Sequence, residues 1–207
     1  MRKFCTLLFF IFFVSDVFSQ VITYPGTTPS FCPGGNVLLT ASNPPVPTGS
    51  YQWEFSLNGS TGWGNVGVNA STYSATAIGF YRVTISGPPI VTFPAVEVTQ
   101  NPNPVASFTA TPQNQCSTGP VYFTNNSSGG ASFLWSFGDT NSGANNTSTL
   151  FSPSHRFVGT AGNGSQNFTV SLTVTSPFGC TTTSTQTVTT TQLPSTALGG
   201  TGLGIYN

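Results

Sequence analysis

Beyond its first twenty residues the chain offers few groups able to do chemistry. The charged ones are Glu54, Arg82, Glu97, Asp139 and Arg156; the single histidine is His155; the cysteines are Cys32, Cys116 and Cys180. Asp139, in FLWSFGDTNSG (Phe133 to Gly143), and His155, in SPSHRF, are two members of a potential Ser-His-Asp triad with one of many serines as nucleophile. That geometry is exacting, and the chain has no GxSxG elbow. The opposing reading is structural. Asp139 follows Gly138 at a strand end, where aspartate shapes a turn by bonding nearby amides. His155 alternates with Pro153 and Phe157 and packs on their face.

Other chemistries fare worse. A glycosidase needs two acids in one cleft. Glu54 and Glu97 lie in the other half of the chain from Asp139, and Glu54 alternates with aromatics, so it faces outward. Calcium needs about six or more oxygen ligands; Asp139 with Asn141 and Asn145 makes at most a weak site. No CxxC or Cys/His cluster suggests zinc. The expectation is no catalytic, cofactor-binding or metal-binding residues and no enzyme. One aromatic stays open: Trp63, in the Gly-rich STGWGNVG, either stacks on a sugar or protein ligand or closes the end of a sandwich.

The elements that must position these groups are all strands. MRKFCTLLFFIFFVSDVFSQ has a basic start, a short apolar core and small residues before Gln20, the pattern of a secretory signal peptide over residues 1–19. No later segment is long and apolar enough to be a membrane helix. Two cations after the leader cannot supply a nucleic-acid groove. Helical periodicity is absent, and Gly and Pro punctuate the chain. Gln100-Asn101-Pro102-Asn103-Pro104 reads as a short stiff linker. It divides an all-β chain into two tandem β-sandwiches, over 20–101 and 102–191, followed by a Gly-rich tail or linker over 192–207.

Alternation marks the strands. In YQWEF, Tyr51, Trp53 and Phe55 share one face; in GFYRVTIS, Tyr81, Val83 and Ile85 do. VTFPAVEVT is one strand candidate, with Pro94 at an edge or bulge. In the second half VASFTATP, VYFTNN, FLWSFG, SHRF, NFTVSLTVTS and TSTQTVTT are the candidates.

The second half resembles the PKD domain, an immunoglobulin-like sandwich of secreted and surface proteins. Trp135, Phe137, Gly138 and Asp139 match its Trp-x-Phe-Gly-Asp-Gly string, with Ser136 and Thr140 departing from it. Pro153, His155 and Phe157 match its Pro-x-His-x-Tyr segment. The first half resembles immunoglobulin-like domains found beside such modules in Bacteroidetes-type surface proteins, through Cys32, Trp53 and GFYRV. The resemblance implies structural roles for the motif residues. It also implies that most of the eight Asn-x-Ser/Thr sequons are plain surface asparagines.

Cys116 lies just before VYFTN and Cys180 just after NFTVSLTVTS. The expected disulfide is Cys116–Cys180, leaving Cys32 as a buried thiol or the site of an intermolecular bond. The expected function is a non-enzymatic secreted or cell-surface adhesion or spacer protein that meets an extracellular protein or glycan. The alternative is a carbohydrate-binding accessory region of a secreted hydrolase.

Overall fold

The computed structural model describes residues 20–42, 49–67, 69–116, 119–158 and 164–192. The leader expected at 1–19, and the tail beyond Gln192, lie outside them. The chain divides into two compact units, Met1–Thr99 and Gln100–Asn207.

The first unit contains β1 (Val21–Thr23), β2 (Ser30–Phe31), β3 (Val37–Ser42), β4 (Ser50–Ser56), β5 (Gly64–Asn65), β6 (Thr72–Ala75), β7 (Gly79–Ser86), β8 (Val91–Thr92) and β9 (Val96–Gln100). The second contains β10 (Phe108–Thr111), β11 (Asn114–Cys116), β12 (Val121–Asn125), β13 (Ser132–Ser136), β14 (Thr147–Ser148), β15 (Ser154–His155), β16 (Gly164–Thr175) and β17 (Thr181–Gln192). Each unit has two sheets. In the first they run β1-β3-β6 and β2-β9-β7-β4-β5, with β8 added to β7; in the second, β10-β12-β15 and β11-β17-β16-β13-β14. Strand for strand the order is the same. An A-B-E sheet faces an A′-G-F-C-C′ sheet, the immunoglobulin arrangement.

Each unit buries its own core. Leu39, Trp53, Val83, Ile85 and Val98 are fully buried in one; Val121, Trp135, Val170, Leu172 and Val188 are fully buried in the other. The alternation expected for the strands is what fills these cores: in β7 the inward positions Tyr81, Val83 and Ile85 alternate with half-buried Phe80, Arg82 and Thr84.

VTFPAVEVT is two strands rather than one. Thr84 pairs with Thr92 and Tyr81 with Val96, so β7 advances three residues while its partner advances four. The extra residue is a bulge at Pro94, which has no N–H to donate to the ladder.

Tyr81 forms a tyrosine corner. Its hydroxyl donates to the Ala77 carbonyl at 3.0 Å, four residues upstream at the start of the F strand. Burial raises its pKa above the ordinary value. The folded site therefore favours the neutral phenol. This stabilisation is fully present below pH 10, the ordinary tyrosine value, and is lost as pH rises through the raised one. Alkaline unfolding curves of wild type and Tyr81→Phe should converge above that range; parallel curves would contradict the assignment.

Gly138 combines a left-handed backbone with a close approach to the neighbouring strand. Its φ is +68°, and a Cβ there would lie 2.5 Å from the Thr169 carbonyl oxygen. Gly143 also has positive φ, +56°, but nothing lies within 4 Å of its missing Cβ. Gly138→Ala should therefore cost about 2–4 kcal/mol in urea denaturation, and Gly143→Ala about 1 kcal/mol.

Candidate functional site

The aromatic run of β13 sets the inner frame of the second unit. Trp135 is fully buried, and its indole N–H donates to the Leu150 carbonyl at 2.9 Å. Trp53 does the same in the first unit, donating to the Ala70 carbonyl at 2.9 Å. In both units the acceptor lies in the connection between C′ and E. Phe108 and Phe123 pack on Trp135 with ring centroids 5.0 and 5.5 Å away. The chain of rings continues from Phe123 to Phe137 to His155 to Phe157 to Phe168, with no step longer than 5.3 Å.

His155 thus sits inside an aromatic ladder. It stacks on Phe137 at 4.2 Å and 4°. Its Nε2 meets the Asp139 carboxylate at 3.1 Å, and the two side chains are 4% and 0% exposed. The Val158 amide donates to the same oxygen, Oδ2, at 2.7 Å. Asp139 follows β13 and His155 lies on β15, so the pair ties one sheet of the sandwich to the other.

Asp139 shapes its turn differently from the sequence expectation. The turn is held by its main chain: the Ser142 amide and hydroxyl both donate to the Asp139 carbonyl, and the Asp139 amide donates to Asn146 Oδ1. The carboxylate makes no cap of its own and crosses to His155. Short-range turn preference pointed to the right residue, but the contact that uses the carboxylate is 16 residues away in sequence and only the folded sandwich creates it.

A triad would also need a serine on His155. Among the described residues its hydrogen bond is to Asp139, and no serine hydroxyl bonds to it. No group of three or more His, Cys, Asp or Glu side chains comes together among the described residues.

The disulfide expectation is corrected. Cys32 and Cys180 are each disulfide-bonded, and Cys116 is out of reach of Cys180. The register explains why. β11 pairs parallel with β17, placing Cys116 opposite Thr191, whereas Cys180 immediately precedes Thr181 at the other end of β17. At about 3.3 Å per residue the two lie on the order of 30 Å apart along the strand, while a disulfide needs Cα atoms within about 7 Å. Cys32 is consequently neither a buried thiol nor a site for an intermolecular bond.

Trp63 is the residue whose two readings the sequence left open. It is half-buried just before β5. The Arg82 guanidinium lies 4.1 Å from its ring centroid. Arg82 in turn binds Glu54 in a fork, at 2.8 and 3.3 Å, from the position directly opposite on the neighbouring strand. Glu54 and Arg82 occupy the outward positions of β4 and β7, so Trp63 rests on the outer face of that sheet rather than closing the core. No short-range sequence signal announces this, because the three residues come from two strands and the turn before a third.

No protein-family profile matches the chain, and no curated protein sequence does. Solved structures do. The PKD1 domain of the Vibrio cholerae metalloprotease PrtV is 29% identical over 43% of this chain and 98% of its own, with a TM-score of 0.33. The PKD1 domain of Vibrio anguillarum Epp is 30% identical over 44% of this chain and 96% of its own, with a TM-score of 0.33. Fibronectin(III)-like modules of Clostridium thermocellum CbhA align at 14% identity over 83% of this chain and 95% of their own, with a TM-score of 0.42. The paired A-B-E and A′-G-F-C-C′ sheets give the class, and the buried Trp135-x-Phe137-Gly138-Asp139 run on strand C gives the type.

The second unit is a PKD-like, immunoglobulin-type β-sandwich.

Within the PKD-like unit, Trp135 and Phe137 build the core, Gly138 permits the close approach to β16, and Asp139 with His155 ties the two sheets. Removing one partner of that tie strands buried polar groups. Asp139→Ala should cost about 2–4 kcal/mol in denaturant unfolding. A double-mutant cycle with His155→Ala should show coupling, since both changes break one contact. Chymotryptic peptides mapped without reductant should show Cys32 and Cys180 in disulfides that vanish on reduction; a Cys116–Cys180 peptide would overturn the register given above.

Proposed function

We propose that the chain is a non-enzymatic secreted or cell-surface protein, in which an immunoglobulin-like unit and a PKD-like unit act as spacer or adhesion modules. The observation that carries this reading is the Asp139–His155 pair. It is the one acid–histidine pairing among the described residues, and it serves as a tie between sheets. Among the described residues no serine hydroxyl bonds to the histidine, so the pair contributes to stability rather than completing a triad. Other features support the reading. Residues 1–19 have the pattern of a secretory leader. No helix among the described residues is long and apolar enough to cross a membrane. The two cations after the leader are too few for a nucleic-acid groove. The partner is an extracellular protein or glycan.

Antibody against the chain should label intact cells of the source organism, and mild surface proteolysis should remove the label. Retention of the chain in the cytoplasm would overturn the proposal.

A second reading, a carbohydrate-binding accessory region of a hydrolase, rests on Trp63. Arg82 covers one face of its ring and holds the plane in position, as cation–π contacts of about 0.5–2 kcal/mol do. A half-exposed, oriented indole is a platform for a sugar ring. Trp63→Ala should abolish glycan-array binding if that platform is used; unchanged binding would remove Trp63 from the ligand site.

A further inference from the structure

The PKD-like unit carries a cleft of about 550 Å³ beside the Asp139–His155 pair. Small-molecule sites run from roughly 300 to 1,000 Å³. The 3-10 turns after Asp139 supply Asn141 and Asn145 to its wall, β14 supplies Ser148, and Leu150, His155 and Arg156 complete it. The chemistry of that wall is specific. Arg156 is the sole Lys or Arg between residues 100 and 207. It is exposed and has no ion pair among the described residues. The other polar groups are amides and hydroxyls, and no carboxylate lines the cleft.

His155 is the second, independent observation. It is 5% exposed, yet it lines the cleft. A carboxylate only accepts hydrogen bonds, so Nε2 donates to Asp139, and in the neutral imidazole Nδ1 is an acceptor. Nδ1 has no partner among the described residues. Stacking on Phe137 and the bond to Asp139 fix the ring, so this acceptor is held ready rather than free to turn away. An oriented buried acceptor, a row of amides and hydroxyls, and one unpaired guanidinium call for a ligand with hydroxyl donors and a single carboxylate.

We propose that this cleft binds one carboxylate-bearing sugar residue, of the uronic acid class. Arg156 takes the carboxylate, as guanidinium groups do in charge-assisted pairs. His155 Nδ1 accepts from a ring hydroxyl, and Asn141, Asn145 and Ser148 bond the remaining hydroxyls. Leu150, exposed at the rim, covers part of the C–H face. Asp139 is a positioning residue that fixes the imidazole and does not touch the sugar. This site goes beyond the spacer reading, is separate from Trp63, and neither stands nor falls with it.

The test is an NMR titration of the full secreted chain with glucuronate, galacturonate, glucose and acetate. Glucuronate or galacturonate should bind in the millimolar range and shift the amides of residues 141–148 and 154–156. Glucose and acetate should each bind at least about tenfold more weakly. Arg156→Gln, at an exposed position, should leave the melting temperature unchanged and reduce the uronate to the glucose level. Asn145→Ala should weaken the uronate and glucose alike. Equal binding of glucose and glucuronate would overturn the proposal, as would equal binding of acetate and glucuronate. Absence of shifts with either uronate at tens of millimolar would overturn it as well.

Discussion

The constraint on which both units depend is the burial of one tryptophan on strand C. Trp53 and Trp135 are wholly removed from solvent, and each carries an N–H that cannot be left unpaired there. A buried, unsatisfied donor costs about 1–3 kcal/mol. Both units meet this demand the same way, with a main-chain carbonyl from the connection that leaves C′ and enters E. The indole therefore does two jobs. Its rings fill the space between the sheets, and its N–H fixes the path of a loop that crosses between them. The neighbouring rings then pack around a plane already set, which is why Phe108, Phe123 and Phe137 fall into tilted and edge contacts rather than random ones.

A chain this poor in charge has little choice about where to place what charge it has. Beyond residue 19 the acids and bases are few, and four of the six Asp, Glu, Arg and His side chains pair with one another. Glu54 and Arg82 meet on an outer sheet face, where partial solvent contact keeps the cost of desolvation low. Asp139 and His155 meet in the interior, where an unpaired charge would be expensive. Only the second pairing ties sheet to sheet. Arg156 stands outside both pairs, at the edge of a cleft lined otherwise by neutral groups, and this isolation gives the PKD-like unit its one cationic feature.

The strands with clean alternation were legible as strings. YQWEF, GFYRVTIS and NFTVSLTVTS each place one set of residues in a core, and period two leaves no other arrangement that buries them. Short strands such as Ser30–Phe31, Gly64–Asn65 and Thr147–Ser148 were not legible, because two residues carry no period and exist as strands only through a neighbour. Pro94 was readable as an interruption, though whether it marked an edge or a bulge depended on the register of β7 against β8 and β9. Trp63 was visible as an oddity in a Gly-rich turn; its seat against Arg82 was not.

The disulfide shows where reading along the chain stops. Cys116 and Cys180 flank strands that look adjacent on paper, but Cys116 belongs to a three-residue strand that joins the far end of β17 in parallel. No local pattern distinguishes that pairing from the antiparallel one. The sequence by itself determined that this protein is built of strands, which faces are buried, and which residues form the Trp-x-Phe-Gly-Asp run, because those properties follow from side-chain period and local turn chemistry. Only the tertiary structure decided the partners: Asp139 with His155, Arg82 with Trp63, and Cys116 with the far end of β17 rather than with Cys180. Each of these contacts spans residues far apart in sequence, and register, the quantity that brings them together, is set by the packing of whole sheets.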